Sequence, residues 1–256
     1  FSNFNHPTYY SLFLELSIIF LLYLGHPRRK VIKKGWMIIL VVILTAVVFM
    51  VSSRAAIVSL VVIYLLTILM CVRRWYVKAA FIAALIVAGI MALSNYRFDN
   101  YMDLTKRLVR GEEVEDAELV ESGAMRLLIW DVSLELSRSN LWWGIGTGDI
   151  REELIREYEK RDIRKYMQRS YNPHSQYLSS LLGLGVAGLA VLITLLLWPL
   201  VLALKRHDYP AAAFLVLFMI HFIFESMLNR SPGILSFSLF YGFLVLNKRP
   251  GQSCSQ

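Results

Sequence analysis

Three side chains in this sequence stand where chemistry on an anionic substrate could be done. Arg54 lies in Val51-Ser52-Ser53-Arg54-Ala55, between two apolar runs. A charge at mid-helix in hydrocarbon costs ~2.5–3.5 kcal/mol or more and far less at an interface. A snorkelling anchor is one explanation of this arginine. It is, however, the only base in its turn, on the side of a membrane that basic residues avoid, which favours an anion-binding role. Arg126 follows Ser122-Gly123 at the start of an amphipathic stretch, where the helix dipole mildly disfavours a cation. It is either a surface charge or an anion ligand. His174 follows Asn172-Pro173 and precedes a long apolar run. The proline fixes the chain there and puts His174 near a helix N-terminus. A helix N-terminus disfavours a cation there, which would suit a general base. An ordinary interfacial cap residue is the alternative.

Other residues carry weaker signals. Gly144, Gly146 and Gly148 look like a phosphate loop, but no strand precedes them and no Lys-Ser/Thr follows. They read as a turn that stops one helix and starts the next. Glu225, in Phe222-Ile223-Phe224-Glu225-Ser226, is an acid among apolar residues and so a candidate site residue. Its possible partners are Arg54, Arg230 and Arg126, and a structural ion pair would explain it equally well. His221, one turn deeper, reads as a packed or hydrogen-bonded histidine. Glu15 lies within the first apolar run, where it is expected to pair with another helix. Cys71 and Cys254 fall at cytoplasmic positions, so no structural disulfide is expected. No Cys/His spacing suggests a metal site.

The elements that must position these residues are membrane helices. Hydrophobic residues form 57% of the chain and the mean hydropathy is +0.52, too apolar for a soluble domain of this size. Residues 8–25, 36–52, 55–72, 76–94, 176–204, 211–228 and 232–246 read as spans. The fold class is therefore all-α: a polytopic bundle of about seven transmembrane helices with one large helical external loop. Its expected divisions are N-terminal membrane helices at 1–94, the loop at 95–174, C-terminal membrane helices at 175–247 and a cytoplasmic tail at 248–256. The chain begins at Phe1 without a signal-peptide pattern, and we expect it to be the C-terminal part of a longer membrane protein.

The net charge of +8 does not point to nucleic acid. The basic clusters Arg28-Arg29-Lys30, Arg73-Arg74, Lys205-Arg206 and Lys248-Arg249 fall in alternate loops, the positive-inside pattern. Beyond Trp75-Tyr76 beside Arg73-Arg74, they lack the repeated aromatic interleaving that single-stranded nucleic acid would require. The N-terminus, the Arg54 turn, the large loop and the Asn229-Arg230-Ser231 turn are then external.

Within the loop, Met125, Leu128, Ile129, Val132 and Leu136 recur at helical spacing and predict an amphipathic helix on the bilayer or on the bundle. Trp142 and Trp143 suit the interface. A second, largely solvated helix is expected over 149–170. Asp149 with Glu152 would form its capping box, and Glu152–Arg156 and Glu157–Arg161 its i,i+4 pairs. Residues 112–121 read as an acidic connection. The glycines at 183, 185 and 188 permit close helix approach.

Taken in order, these pieces resemble the family of O-antigen ligases and Wzy-type polymerases, bacterial envelope glycosyltransferases. The matching elements are Ser53-Arg54-Ala55, Arg126 with Trp130, Trp143-Gly144-Ile145-Gly146, His174-Ser175-Gln176-Tyr177-Leu178, and Gly183-Leu184-Gly185-Val186-Ala187-Gly188-Leu189. Each is weak alone; their order and the loop size make the combination specific. Ser175 departs from the asparagine that often follows the family's histidine.

The resemblance implies an inner-membrane enzyme acting at its periplasmic face. The donor would be a glycan on undecaprenyl diphosphate. The acceptor would be lipid A core or another envelope glycan, and no metal or other cofactor would be needed. His174 would be the general base, and Arg54 and Arg126 would hold the diphosphate. Gly146 and Tyr177 would contact substrate, and Glu225, a candidate from its place among apolar residues and not from the resemblance, is expected to contact it as well. A ligase-like inverting transfer is the leading expectation. A polymerase of the same family, a transporter of the lipid-linked glycan and a non-catalytic envelope scaffold are the alternatives.

Overall fold

A computed structural model describes residues 7–25, 31–51, 54–72, 74–76, 78–80, 82–83, 124–161 and 172–246. Every regular element among them is helical. The chain divides into two compact units, Phe1–Ala80 with Thr194–Gln256, and Phe81–Ile193.

The first unit contains α1 (Pro7–Leu24), α2 (Lys34–Val51), α3 (Arg54–Cys71), the end of α6 (Gln176–Lys205), α7 (Tyr209–Phe224) and α8 (Ser231–Tyr241). Helices α1, α2 and α6 are each long and apolar enough to cross a membrane, while residues 55–71, 209–224 and 231–246 form shorter apolar helices. The expected span at 76–94 and the acidic connection at 112–121 fall largely or wholly outside the described residues. Helix α2 buries only Val48 and exposes Ile38, Ile39, Val42, Ile43 and Phe49. So continuous an apolar surface is costly in water and suited to acyl chains.

Helices α3 and α7 run antiparallel. Thr67 Oγ1 lies 2.8 Å from the Tyr209 hydroxyl, and Ser59 meets His221 further along both helices. Phe214, Phe218, Phe222 and Phe237 form the aromatic core between α7 and α8. Helix α7 ends at Phe224, earlier than the apolar run to Leu228 predicts. Glu225 leaves it in an extended conformation (φ −152°, ψ 142°), and a 3-10 turn follows at Met227–Asn229. Hydropathy tracks membrane depth and carries no information on where the backbone stops being helical. The corner is tight: a Cβ on Gly233 would lie 2.1 Å from the Met227 carbonyl oxygen.

The second unit contains α4 (Ala124–Ser139), α5 (Ile150–Lys160) and the start of α6. The predicted apolar stripe of α4 is its core face. Leu128, Ile129 and Val132 are buried against Ile150, Leu154 and Tyr158 of α5 and Leu182 of α6. Helix α5 therefore has a buried face where the sequence suggests a largely solvated helix. It ends at Lys160, and residues 162–170 lie outside the described part.

Two local expectations for α5 change. Asp149 is already in a helical backbone conformation (φ −93°, ψ −8°) and its side chain makes no capping bond. Its carboxylate lies instead beside Gly146. Arg156 pairs with Glu153 rather than Glu152. Arg161 does pair with Glu157, and it reaches Asp131 at 3.0 Å and Glu135 on α4 as well. Partial burial lowers the Arg161 pKa, but these carboxylates outweigh it and raise the guanidinium above its ordinary value.

Helix α6 is not one straight span. Gly185 takes φ 67° and ψ −165°, a conformation open essentially to glycine alone. The break frees backbone groups that the glycine turn takes up. Ile145 N–H donates to the Leu182 carbonyl (2.9 Å), Gly146 N–H to the Gly183 carbonyl (3.1 Å), and Val186 N–H to the Leu141 carbonyl (2.8 Å). A Cβ on Gly144 would lie 2.5 Å from the Gly183 carbonyl carbon, and one on Gly185 2.3 Å from the Trp142 carbonyl oxygen. Gly144 and Gly185 let these backbones touch.

Candidate functional site

In the second unit, the Asn172-Pro173-His174 turn is built by side chain and backbone together. His174 N–H donates to Asn172 Oδ1 at 3.1 Å, closing an Asx turn, and His174 adopts φ 49°. Trp130 Nε1–H donates to the Pro173 carbonyl at 3.0 Å. Trp130 lies one helical turn after Arg126, so both project from neighbouring positions on one face of α4. The indole thus joins the helix that carries Arg126 to the residue before His174. Both side chains are half-buried. Tyr177 follows in the first turn of α6, beside the buried polar residues Ser175, Gln176, Ser179 and Ser180.

Gly146 lies at the docked turn and its N–H donates to the Gly183 carbonyl. An open groove of about 390 Å³ runs along Leu136, Ser139, Asn140, Gly144, Ile145, Asp149 and Glu153. Its charged residues are acidic, and none of the expected site residues lines it.

In the first unit, α1 and α7 carry polar groups to one end, Tyr9 and Glu225. Helix α1 is antiparallel to α7, because Tyr9 is within electrostatic reach of Glu225 while Glu15 bonds His221. Helix α3 is antiparallel to α7 as well. Extending these registers from the Ser59–His221 contact places the start of α3, at Arg54, at the height of Tyr9 and Glu225. The Arg54 side chain itself lies outside the described part. Glu225 is buried, and Arg230 is exposed nearby. The Tyr9 hydroxyl is buried and meets no hydrogen-bond partner among the described residues.

Beneath this end lies a second polar layer. Glu15 Oε2 is 2.8 Å from His221 Nε2, and Ser59 Oγ is 2.6 Å from Glu15 Oε1. All three residues are fully buried. The expected pairing of Glu15 with another helix and the hydrogen-bonded state of His221 are therefore one cluster. No group of three or more His, Cys, Asp or Glu side chains that could hold a metal occurs among the described residues.

Trp130, Tyr9 and Ser59 carry no chemical signal of their own in the sequence. Trp130 entered only as part of a motif. Tyr9 and Ser59 lie in apolar runs, and only packing identifies them.

The family model described as O-antigen ligase matches residues 39–193, more than half of the chain. The chain belongs to the O-antigen ligase family. It is thereby a membrane protein and a glycosyltransferase-type enzyme of the O-antigen ligase kind. No curated protein matches it. The stretch matched to the O-antigen ligases carries Arg54, Arg126, Gly146, His174 and Tyr177, while Tyr9, Glu15, His221 and Glu225 lie beyond it.

Proposed function

We propose that this protein moves a glycan from undecaprenyl diphosphate to an acceptor hydroxyl at the periplasmic face of the bacterial inner membrane, with inversion and without a metal. His174 removes the proton from the acceptor hydroxyl as that oxygen attacks the anomeric carbon. The bond from that carbon to the diphosphate oxygen breaks, and undecaprenyl diphosphate leaves. Arg54 and Arg126 stabilise its charge by charge-assisted, often bidentate, hydrogen bonds. Tyr177 and Glu225 contact substrate, and Gly146 shapes the loop beside it. The acceptor is lipid A core or another envelope glycan, as in a ligase; a lipid-linked repeat would make the same chemistry a polymerase.

The observation that carries this reading is the Trp130–Pro173 hydrogen bond. It couples an arginine-bearing helix to the turn that presents a histidine, which is the pairing of anion ligand and base that the transfer needs.

A transporter of the same lipid-linked glycan would use a broken helix lining a cavity. Helix α6 is broken, but its freed carbonyls are taken by the 141–146 loop, which favours the enzyme.

The test is glycan transfer in purified membranes supplied with lipid-linked donor. His174→Ala should lose the ~10²–10⁴-fold that positioned proton transfer contributes, with insertion unchanged. Arg54→Lys and Arg126→Lys should weaken donor use far more than Arg138→Lys. Full turnover by His174→Ala, or equal loss across the three lysine variants, would reject the assignment. Translocation of glycan without a new glycosidic bond would establish the transporter instead.

A further inference from the structure

Outside residues 95–174 the chain has only three acids, Glu15, Asp208 and Glu225. Asp208 caps α7, accepting from Ala211 N–H. The other two belong to the polar end of the first unit and to the layer beneath it. An acid in the middle of an apolar helix is retained against a large desolvation cost and needs a reason.

Glu15 joins three helices. It accepts from Ser59 of α3 through one carboxylate oxygen and meets His221 of α7 through the other. His221 Nε2 faces the Glu15 carboxyl oxygen and shares one proton with it, while Nδ1 meets no partner among the described residues. The Ser59 hydroxyl is also within 2.9 Å of the Ala55 carbonyl and 3.1 Å of the Ala56 carbonyl. Its single proton goes to the carboxylate, the closest acceptor. Beside this cluster Ile18, Val48, Ala56 and Leu60 pack against Leu14, Leu22 and Tyr64, and a second polar tie between α3 and α7, Thr67 with Tyr209, lies eight residues further along α3. Apolar surfaces in lipid have no hydrophobic force to hold one register over another. A polar cluster satisfied in only one register does hold it.

The register matters because of what lies above. Arg54 is five residues from Ser59 on α3, about 7.5 Å along the axis. Glu225 is four residues from His221 on α7, about one turn, and its N–H donates to the His221 carbonyl at 2.9 Å. A slip of one turn would move the start of α3 away from Tyr9 and Glu225 by about 5.4 Å.

We propose that Glu15, Ser59 and His221 are positioning residues: a buried lock on the axial register of α1, α3 and α7 that holds Arg54 level with Glu225 for the diphosphate of the lipid donor. This rests on the donor-binding role of Arg54 proposed above.

The experiment measures binding of undecaprenyl diphosphate to the purified full chain in lipid nanodiscs. Glu15→Leu and His221→Leu should each weaken binding ~10-fold or more, while turnover at saturating donor stays within ~3-fold. Ser59→Ala removes one hydroxyl and should weaken binding ~3-fold, the usual size of one interhelical hydrogen bond in a membrane. Glu15→Gln keeps an acceptor for His221 and should restore most of the affinity. In an Arg54→Ala background Glu15→Leu and Ser59→Ala should add no further loss, since the lock acts through Arg54. Undiminished binding in Ser59→Ala and Glu15→Leu would overturn the lock, as would losses that multiply with Arg54→Ala. Should Glu15→Leu fail to fold, Ser59→Ala and its double variant decide alone. Because binding is read without transfer, activity retained by His174→Ala would reject the catalytic reading and leave this one standing.

Discussion

Trp130 and Pro173 are 43 residues apart in sequence and joined by a 3.0 Å hydrogen bond, indole N–H to carbonyl oxygen. The bond ties the α4 face that carries Arg126 to the backbone immediately before His174. A packed indole has few orientations, so it holds this geometry more tightly than a long flexible side chain could.

Trp130→Phe keeps the ring and removes the donor. A buried carbonyl left unpaired costs about 1–3 kcal/mol. Glycan transfer should fall about tenfold with little loss of inserted protein, the value expected if about 1.4 kcal/mol of positioning is lost. Trp142→Phe, at a side chain 71% exposed, should leave transfer unchanged. Equal effects of the two, in the same donor-supplied membrane assay, would count against the positioning role.

Gly185→Ala should be severe. The backbone there has φ 67°, and the new Cβ would lie 2.3 Å from the Trp142 carbonyl oxygen. Conformational strain alone is about 1–3 kcal/mol, and the loop from Leu141 to Gly146 would have to lift off α6. Thermal size-exclusion profiles should show a lower transition. Gly148→Ala has nothing within 4 Å of its Cβ and should leave the transition in place.

The contact of α5 with α4 has an apolar and an ionic part, and the apolar part should dominate. Leu154 is fully buried, so Leu154→Ala should cost about 2–5 kcal/mol. Arg161 bridges Asp131, Glu135 and Glu157, but those pairs are largely exposed at the α4 side. Exposed pairs contribute about 0.2–1 kcal/mol each. Arg161→Ala should therefore cost less than Leu154→Ala, and its effect should shrink at high salt, as hydrogen exchange across α5 would report.

Tyr158 makes the same unit sensitive to alkali. Burial holds its phenol above the ordinary tyrosine value. A group with a raised folded pKa stabilises fully below its unfolded value and loses that contribution as pH climbs toward the folded one. The second unit should thus weaken as pH rises above about 10, the usual tyrosine pKa. Tyr158→Phe should move the alkaline transition upward. A transition that does not move would assign it to other groups.

Much of the fold is legible from residue order. Apolar runs mark α1, α2, α3, α6 and α7, because lipid demands long uninterrupted apolar helices. The stripe Leu128, Ile129, Val132 is read at helical spacing and is the buried face of α4. The Glu157–Arg161 pair follows from spacing alone. Other features depend on what lies across the gap. Composition could not show that Gly185 breaks α6, since a glycine in an apolar run fits a helix until another backbone arrives to use the freed groups. Asp149 looks like a cap, yet whether it caps depends on its own backbone angles, which the docked turn sets.

By itself the sequence determined which helices are apolar enough for lipid and the chemical types on offer, because hydropathy and side-chain chemistry are properties of single residues and short spacings. Only the tertiary structure decided which groups meet: Trp130 with Pro173, the 144–146 turn with the break at Gly185, and Glu15 with Ser59 and His221. Those meetings join residues as many as 206 positions apart, and they follow from helix register and backbone approach, which no local pattern encodes.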